Sequence, residues 1–194
     1  MGKVFTHMTM SLDGYIAQPD DQVGELFEWY DAGEVVVPSG NEGIGFALDP
    51  ASAEMLSDII ANTGVLVAGR HLFDITNGWG DHHPVGAPVV VVTHSLPSDA
   101  GKWPRATFVN GVGAAVDRAK EIAGDKNVCI ASTTVARQAL ELGLVDEVWV
   151  SLAPVIFGEG IRYFGALAGG HQLLEDPTVI QGKRAVHLRY PVRR

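Results

Sequence analysis

An α/β fold with one mostly parallel central sheet and an antiparallel hairpin at the C-terminal end is predicted by three observations. Short, wholly apolar runs such as Val65-Leu66-Val67-Ala68 and Val89-Val90-Val91-Val92 have the pattern of strands covered on both faces, as parallel sheets require. Stretches with helical apolar periodicity alternate with those runs. The last two strand-like pieces, 172–180 and 185–192, are joined only by Gln181-Gly182-Lys183, a turn. At 194 residues, a single domain over 1–194 is expected, large enough to bury a core without metals or disulfides.

Taken in order, Val4 to Met10 is rich in strand formers, and Ser11-Leu12-Asp13-Gly14 follows as a turn leading into Tyr15-Ile16-Ala17. Between Pro19 and Pro50 the pattern is poor. Leu26, Phe27, Trp29 and Tyr30 suggest a short aromatic helix, and Gly40, Gly43 and Gly45 mark a linker in a long irregular insertion. Asp49-Pro50 is a helix start, with Met55, Leu56, Ile59 and Ile60 as its apolar stripe and Thr63-Gly64 as its stop. The run ending at Gly69 is the next strand, and Arg70 to Asp74 begins a helix or turn. A strand at 88–93, a short one at 107–109 and a helix stopped by Gly124 come next. A strand at 128–131, a helix carrying Val135, Ala136, Ala139 and Leu140 with Gly143 beyond its end, and a strand at 147–155 precede the hairpin.

Charge and composition narrow the function. A net charge of −9 with scattered acidic residues argues against a nucleic-acid surface. No apolar run approaches the ~20 residues of a membrane span, and no signal-peptide core follows Lys3. The single cysteine, Cys129, lies in a core strand, which fits a reducing, cytoplasmic setting.

In open α/β sheets, ligands lie at the carboxyl ends of the strands. Three of those ends carry Gly69-Arg70-His71, Thr93-His94-Ser95 and Ala131-Ser132-Thr133-Thr134. A fixed cation beside hydroxyls and helix-start amides is what a phosphate or pyrophosphate needs. Their convergence points to one polyanionic ligand.

Several segments together resemble a known family. Ser11-Leu12-Asp13-Gly14-Tyr15-Ile16-Ala17, Ala68-Gly69-Arg70-His71-Leu72-Phe73, Gly143-Leu144-Val145-Asp146-Glu147, and Pro154 to Gly160 with Tyr163-Phe164 occur in one order along nearly the whole chain. They resemble the dihydrofolate reductase-like superfamily, in the branch named for the C-terminal reductase domain of bifunctional riboflavin-biosynthesis deaminase-reductases. The resemblance implies a three-layer α/β/α fold, a homodimer, and NADPH lying across the strand ends. It assigns Gly69, Arg70, His71, Thr93, His94 and Ser95 to the 2′-phosphate and pyrophosphate. Ala131, Ser132, Thr133 and Thr134 would approach the pyrophosphate and nicotinamide, and Thr9, Ile16 and Ala17 would flank the nicotinamide. The chain departs from the family pattern at Leu72, where a threonine is common, and at Ala131-Ser132, where two glycines are expected.

For chemistry, Asp13 is the one carboxylate in a motif near the expected nicotinamide, either a proton source or merely a turn cap. Glu54 lies on the helix where folate-reducing relatives carry their pterin-binding acid, although a solvated face is the competing reading. Trp29 could stack on a planar heterocycle or serve the core, and Trp79 with His82 forms a pocket rim or a plain surface loop. Asp81-His82-His83 has no further ligand at suitable spacing, so no metal is expected. The expected activity is NADPH-dependent reduction of a pterin, a dihydrofolate or a ribosylaminopyrimidine. The alternative is a non-catalytic ligand-binding homologue with a weakened cofactor site.

Overall fold

A computed structural model describes residues 2–194. From the N-terminus come β1 (Val4–Met10), β2 (Tyr15–Ala17), a 3-10 helix (Gly24–Asp31), β3 (Val35–Val37) and β4 (Phe46–Leu48). Then follow α1 (Pro50–Asn62), β5 (Thr63–Gly69), α2 (Arg70–Ile75), a short turn of helix (Asn77–Asp81) and β6 (Val89–Val92). The second half holds β7 (Ala106–Val109), α3 (Val112–Ala123), β8 (Asn127–Ile130), α4 (Thr133–Glu141) and β9 (Glu147–Leu152). The last elements are β10 (Ile161–Arg162), β11 (Thr178–Gln181) and β12 (Val186–Pro191).

Eight strands form the central sheet in the order β11-β12-β9-β1-β8-β5-β6-β7. The six from β9 to β7 run parallel, while β12 is antiparallel to both β9 and β11. Strand alternation divides the core in two. Val65 and Val67 of β5 face the side covered by α3 and α4, and Leu66 and Ala68 face the side covered by α1. That is a three-layer α/β/α sandwich. All four residues are at most 1% exposed, and full burial of a Val or Leu side chain is worth roughly 1.5–3 kcal/mol.

Most departures from the predicted bounds trace to proline and glycine. The first hairpin strand begins only at Thr178, because Pro177 has no N–H to give a ladder. The strand expected over 147–155 ends at Leu152, just before Pro154. Thr63-Gly64 opens β5 with no intervening turn, so Gly64 is not a helix stop. A Cβ on Gly64 would lie 2.8 Å from Ala123 Cα, so its role is to let the end of α3 close on the strand.

Candidate active site

The carboxyl ends of β8, β5 and β6 are neighbours in the sheet, and beyond them opens a cleft of about 1610 Å³. Its mouth is built from the starts of two helices. Gly69 and Arg70 pass directly from β5 into α2, and Ser132 caps α4 with extended backbone (φ −173°, ψ 139°). The Ser132 hydroxyl makes no capping bond, so the first-turn amides of α4 keep no side-chain partner there. Ala131, Ser132, Thr133 and Thr134 all line the cleft, and a helix start of this kind attracts anions. Gly69 matters for a local reason: a Cβ there would lie 2.8 Å from Ser132 Oγ.

Arg70 is the one Lys or Arg on the cleft wall among the described residues. Its Nε donates to both Asp74 carboxylate oxygens (2.7 and 2.9 Å), and Nη1 donates to the Ser95 carbonyl (3.2 Å). The remaining guanidinium N–H groups are left for a ligand. His71 spans the mouth to Asp21 (2.9 Å), and His94 meets Asn110 at 3.2 Å.

Deeper in, the wall turns apolar. Phe27, Tyr30, Phe46, Leu56, Ile59 and Leu66 surround a pocket floored by His7 and Cys129. Tyr30 and Phe46 meet edge to face at 4.7 Å, and burial raises the Tyr30 phenol beyond its usual range. Burial also pushes the Cys129 thiol up to about 12, so it stays protonated and packs as a small apolar group. Trp79 overhangs this pocket from a run of left-handed residues: Asn77, Gly78, Trp79, Gly80 and Asp81 all have φ between 48° and 70°. The run is pinned from outside. Asn41 Nδ2 donates to the Trp79 and His82 carbonyls, the Trp103 indole donates to the Asn77 carbonyl, and Asp81 accepts from the Arg105 amide. Backbone held in this sparsely populated region by its surroundings is typical of binding sites.

A family model for the RibD C-terminal domain matches residues 2–176. The chain belongs to the RibD C-terminal domain family. Among solved structures, a Shewanella sp. PV-4 protein assigned to riboflavin biosynthesis matches with a TM-score of 0.71 at 20% identity, covering 99% of each chain. Dihydrofolate reductase from Enterococcus faecalis, complexed with NADP(H), matches at 0.60 and 14% identity over 100% of this chain and 98% of that one. The riboflavin biosynthesis reductase Rib7 of Saccharomyces cerevisiae matches at 0.61 and 12% identity over 99% and 90%. No curated protein sequence matches the chain. The fold is therefore dihydrofolate reductase-like, as its sequence motifs imply.

Within this RibD C-terminal-type domain, Thr9, Ile16, Ala17, Gly69, Arg70, His71, His94 and the 131–134 turn share the one cleft with Trp79 and His82. Five other residues do not reach it. Asp13 is the first correction. Its carboxylate accepts from Ser11 Oγ (2.6 Å), the Phe157 amide (3.1 Å) and the Gly158 amide (2.7 Å), tying the Ser11–Gly14 turn to the 155–158 loop. Those bonds, the serine's first, hold its pKa at about 2, so it is a turn cap and not a proton donor.

Trp29 is only 1% exposed. Its indole donates to Thr9 Oγ1 (3.2 Å) and its ring meets His187 edge-on, so it packs the core under the cleft and cannot stack on a ligand. Glu54 projects into solvent from α1, on the face opposite Met55, Leu56 and Ile59. Thr93 is buried behind the wall, its hydroxyl donating to the Ser95 carbonyl, and Ser95 contributes through that carbonyl, which receives Arg70.

Sequence reasoning missed His7. The signal was there, a polar ring inside an otherwise strand-forming run that alternates with buried Phe5 and Thr9 on the same face.

Proposed function

We propose that this domain is an NADPH-dependent reductase of a small, planar nitrogen heterocycle. One observation carries the reading. The uncapped start of α4, the Cβ-free approach at Gly69 and the Arg70 guanidinium open from adjacent strand ends into a cleft that is also lined by Phe27, Tyr30, Phe46, Leu56 and Ile59. The residues fit the cofactor: Thr133 and Thr134 would offer amides and hydroxyls to the pyrophosphate, and the outer Nη groups of Arg70 would meet the 2′-phosphate. When bound, that cofactor supplies a hydride to an unsaturated bond of the ring. The apolar side chains of Phe27, Tyr30 and Phe46, with Trp79 on the same wall, would exclude water around a bound ring. With Arg70 committed to the cofactor, no Lys or Arg on the wall remains for a substrate phosphate among the described residues. A phosphate-free pterin-like or ribosylaminopyrimidine ring is thus the favoured substrate. A homodimer is part of the proposal, and a monomeric mass in light scattering would remove that part alone.

A thermal-shift titration tests the reading. NADPH should stabilise the protein more than NADH does, and Arg70→Ala should abolish the difference; no shift at millimolar cofactor would sink it. The grip of Asp74 on Arg70 favours a second reading, a ligand-binding homologue that does not distinguish the two nucleotides. Equal shifts with the two nucleotides, and no turnover of pterin or ribosylaminopyrimidine, would favour it.

A further inference from the structure

A chain of hydrogen bonds leads from the pocket floor to the start of α1. His7 Nε2 lies 2.9 Å from Ser151 Oγ, which lies 2.8 Å from His187 Nδ1. His187 Nε2 lies 3.0 Å from Ser52 Oγ, and the Ser52 hydroxyl donates to Asp49 Oδ2 at 2.5 Å. Ser52 and Ser151 are 0% exposed and His187 is 2% exposed, so the interior members satisfy one another.

Each link has one proton to place, and that gives the chain a direction. Asp49 receives the Ala51, Ser52 and Lys183 amides as well as the serine hydroxyl, and an ionised carboxylate only accepts. Since Ser52 donates its single proton to Asp49, it must accept from His187 Nε2–H. A neutral His187 then accepts at Nδ1, so Ser151 donates to it. Ser151 must in turn accept from His7 Nε2–H, which leaves His7 Nδ1 as a lone pair. That nitrogen makes no hydrogen bond within the protein among the described residues, and its ring lines the pocket.

The surroundings keep both rings neutral. Burial is the first cause at both; at His187 the Asp49 carboxylate pulls the other way and is outweighed, while Arg189 of β12, which lies over Trp149 (4.0 Å) and pairs with Asp58, opposes a second cation at either histidine. Cys129, next to the His7 backbone, and Tyr30 on the same cleft wall both stay protonated and add no charge.

We infer that Asp49 sets the direction of this chain so that His7 presents a hydrogen-bond acceptor to the pocket, and that the ligand must offer an N–H donor there. The second half rests on the heterocycle reading of the cleft. A ring with a lactam or amino N–H meets the requirement, and one alkylated at that nitrogen leaves the acceptor unpaired beneath it. The affinity difference should be about tenfold.

Side-chain nitrogen NMR of histidine-labelled full-length protein at neutral pH tests the chain without any ligand. His7 and His187, assigned by their glutamine variants, should both carry their proton on Nε2. In Asp49→Asn the helix keeps an equivalent N-cap, while the amide can donate to Ser52 and reverse every link, moving the His7 proton to Nδ1. Should that variant fold poorly, Ser151→Ala cuts the chain in the middle: His7 should then populate both tautomers while His187 stays Nε2–H. A His7 protonated on Nδ1 in the parent protein, or a tautomer indifferent to both substitutions, overturns the inference.

The ligand half is read by fluorescence titration with pterin and with pterin methylated on its lactam nitrogen. The parent protein should prefer pterin about tenfold, and Asp49→Asn should erase the preference; equal affinities, or a ratio unmoved by Asp49→Asn, overturn it. If neither pterin binds while NADPH still stabilises the protein, the heterocycle reading and the ligand half fall together, and the tautomers alone decide the chain.

Discussion

Lowering the pH from neutral to about 5 should cost this protein a large part of its stability through three histidines. His7, His83 and His187 have pKa values lowered from 6.5 to about 3, about 3 and about 4, in each case mainly by burial. All three are neutral in the folded state and gain a proton on unfolding once the pH drops below 6.5. The unfolded state therefore binds more protons, and stability falls with falling pH across the window from 6.5 down to each folded value.

At about pH 5 an unfolded histidine is almost fully charged, so each residue loses about 2 kcal/mol and the three lose about 6 kcal/mol. That is comparable to the whole stability of a typical domain, about 5–15 kcal/mol. The carboxylates do not mask the effect. Asp13 and Asp49 have lowered values, so their contribution is present above the unfolded value of 3.8 and is lost only below it. The assay is urea denaturation at several pH values at constant ionic strength. His83→Asn, whose side-chain oxygen can take over the bond that His83 Nδ1 accepts from the Val85 amide, should recover about 2 kcal/mol of the acid loss. A urea midpoint that is the same at neutral pH and at about pH 5 would refute neutral burial of these rings, and an acid loss unchanged in His83→Asn would remove His83 from the account.

Two further outcomes follow from the packing around the cleft. Gly69→Ala places a methyl 2.8 Å from Ser132 Oγ, a hydroxyl with no capping bond that can turn aside, and should cost no more than about 1 kcal/mol in denaturant melts; Gly69→Ala combined with Ser132→Gly should recover most of that, and a larger loss that the second change does not recover would mean that the contact is not the cause. Asp13→Asn turns an N–H toward the Gly158 amide and should lower the melting temperature while leaving the NADPH-induced shift intact; loss of the NADPH response in a folded variant would return Asp13 to the site.

The fold was legible because its signals are local and repeated. Apolar runs such as Val65 to Ala68 and Val89 to Val92 became parallel strands buried on both faces, and Asp49-Pro50 became the cap and first residue of α1, its carboxylate taking the Ala51 and Ser52 amides. The strand ends were legible too, since a parallel sheet brings its carboxyl ends to one edge wherever the residues stand in the sequence. That residues 7, 49, 52, 151 and 187 meet is not written in any one of their segments, although Asp49 reads as a helix cap and His7 as a polar ring in a strand. Sheet order joins three of them, since β1 lies beside β9 and β9 beside β12, with His7 paired to Trp149 and His187 to Ser151, and the start of α1 brings Asp49 and Ser52 to His187. The sequence left Trp29 between stacking and core for a related reason, because which face of a short 3-10 helix is buried is decided by the strand beneath it.

The turn at Ala131-Ser132 shows how a sequence-level objection can dissolve in three dimensions. Two missing glycines suggest backbone that can neither bend nor come close to a cofactor. Ser132, however, sits at φ −173°, extended backbone open to any residue, so its conformation does not call for glycine. What does need room is its hydroxymethyl group, and the room comes from the neighbouring strand, where Gly69 has no Cβ to meet Ser132 Oγ. The small residue eases that packing one strand over from where the motif led one to look. A serine hydroxyl that makes no capping bond therefore stands at the cleft wall, and under the reductase reading proposed above it would serve a phosphate as a further donor.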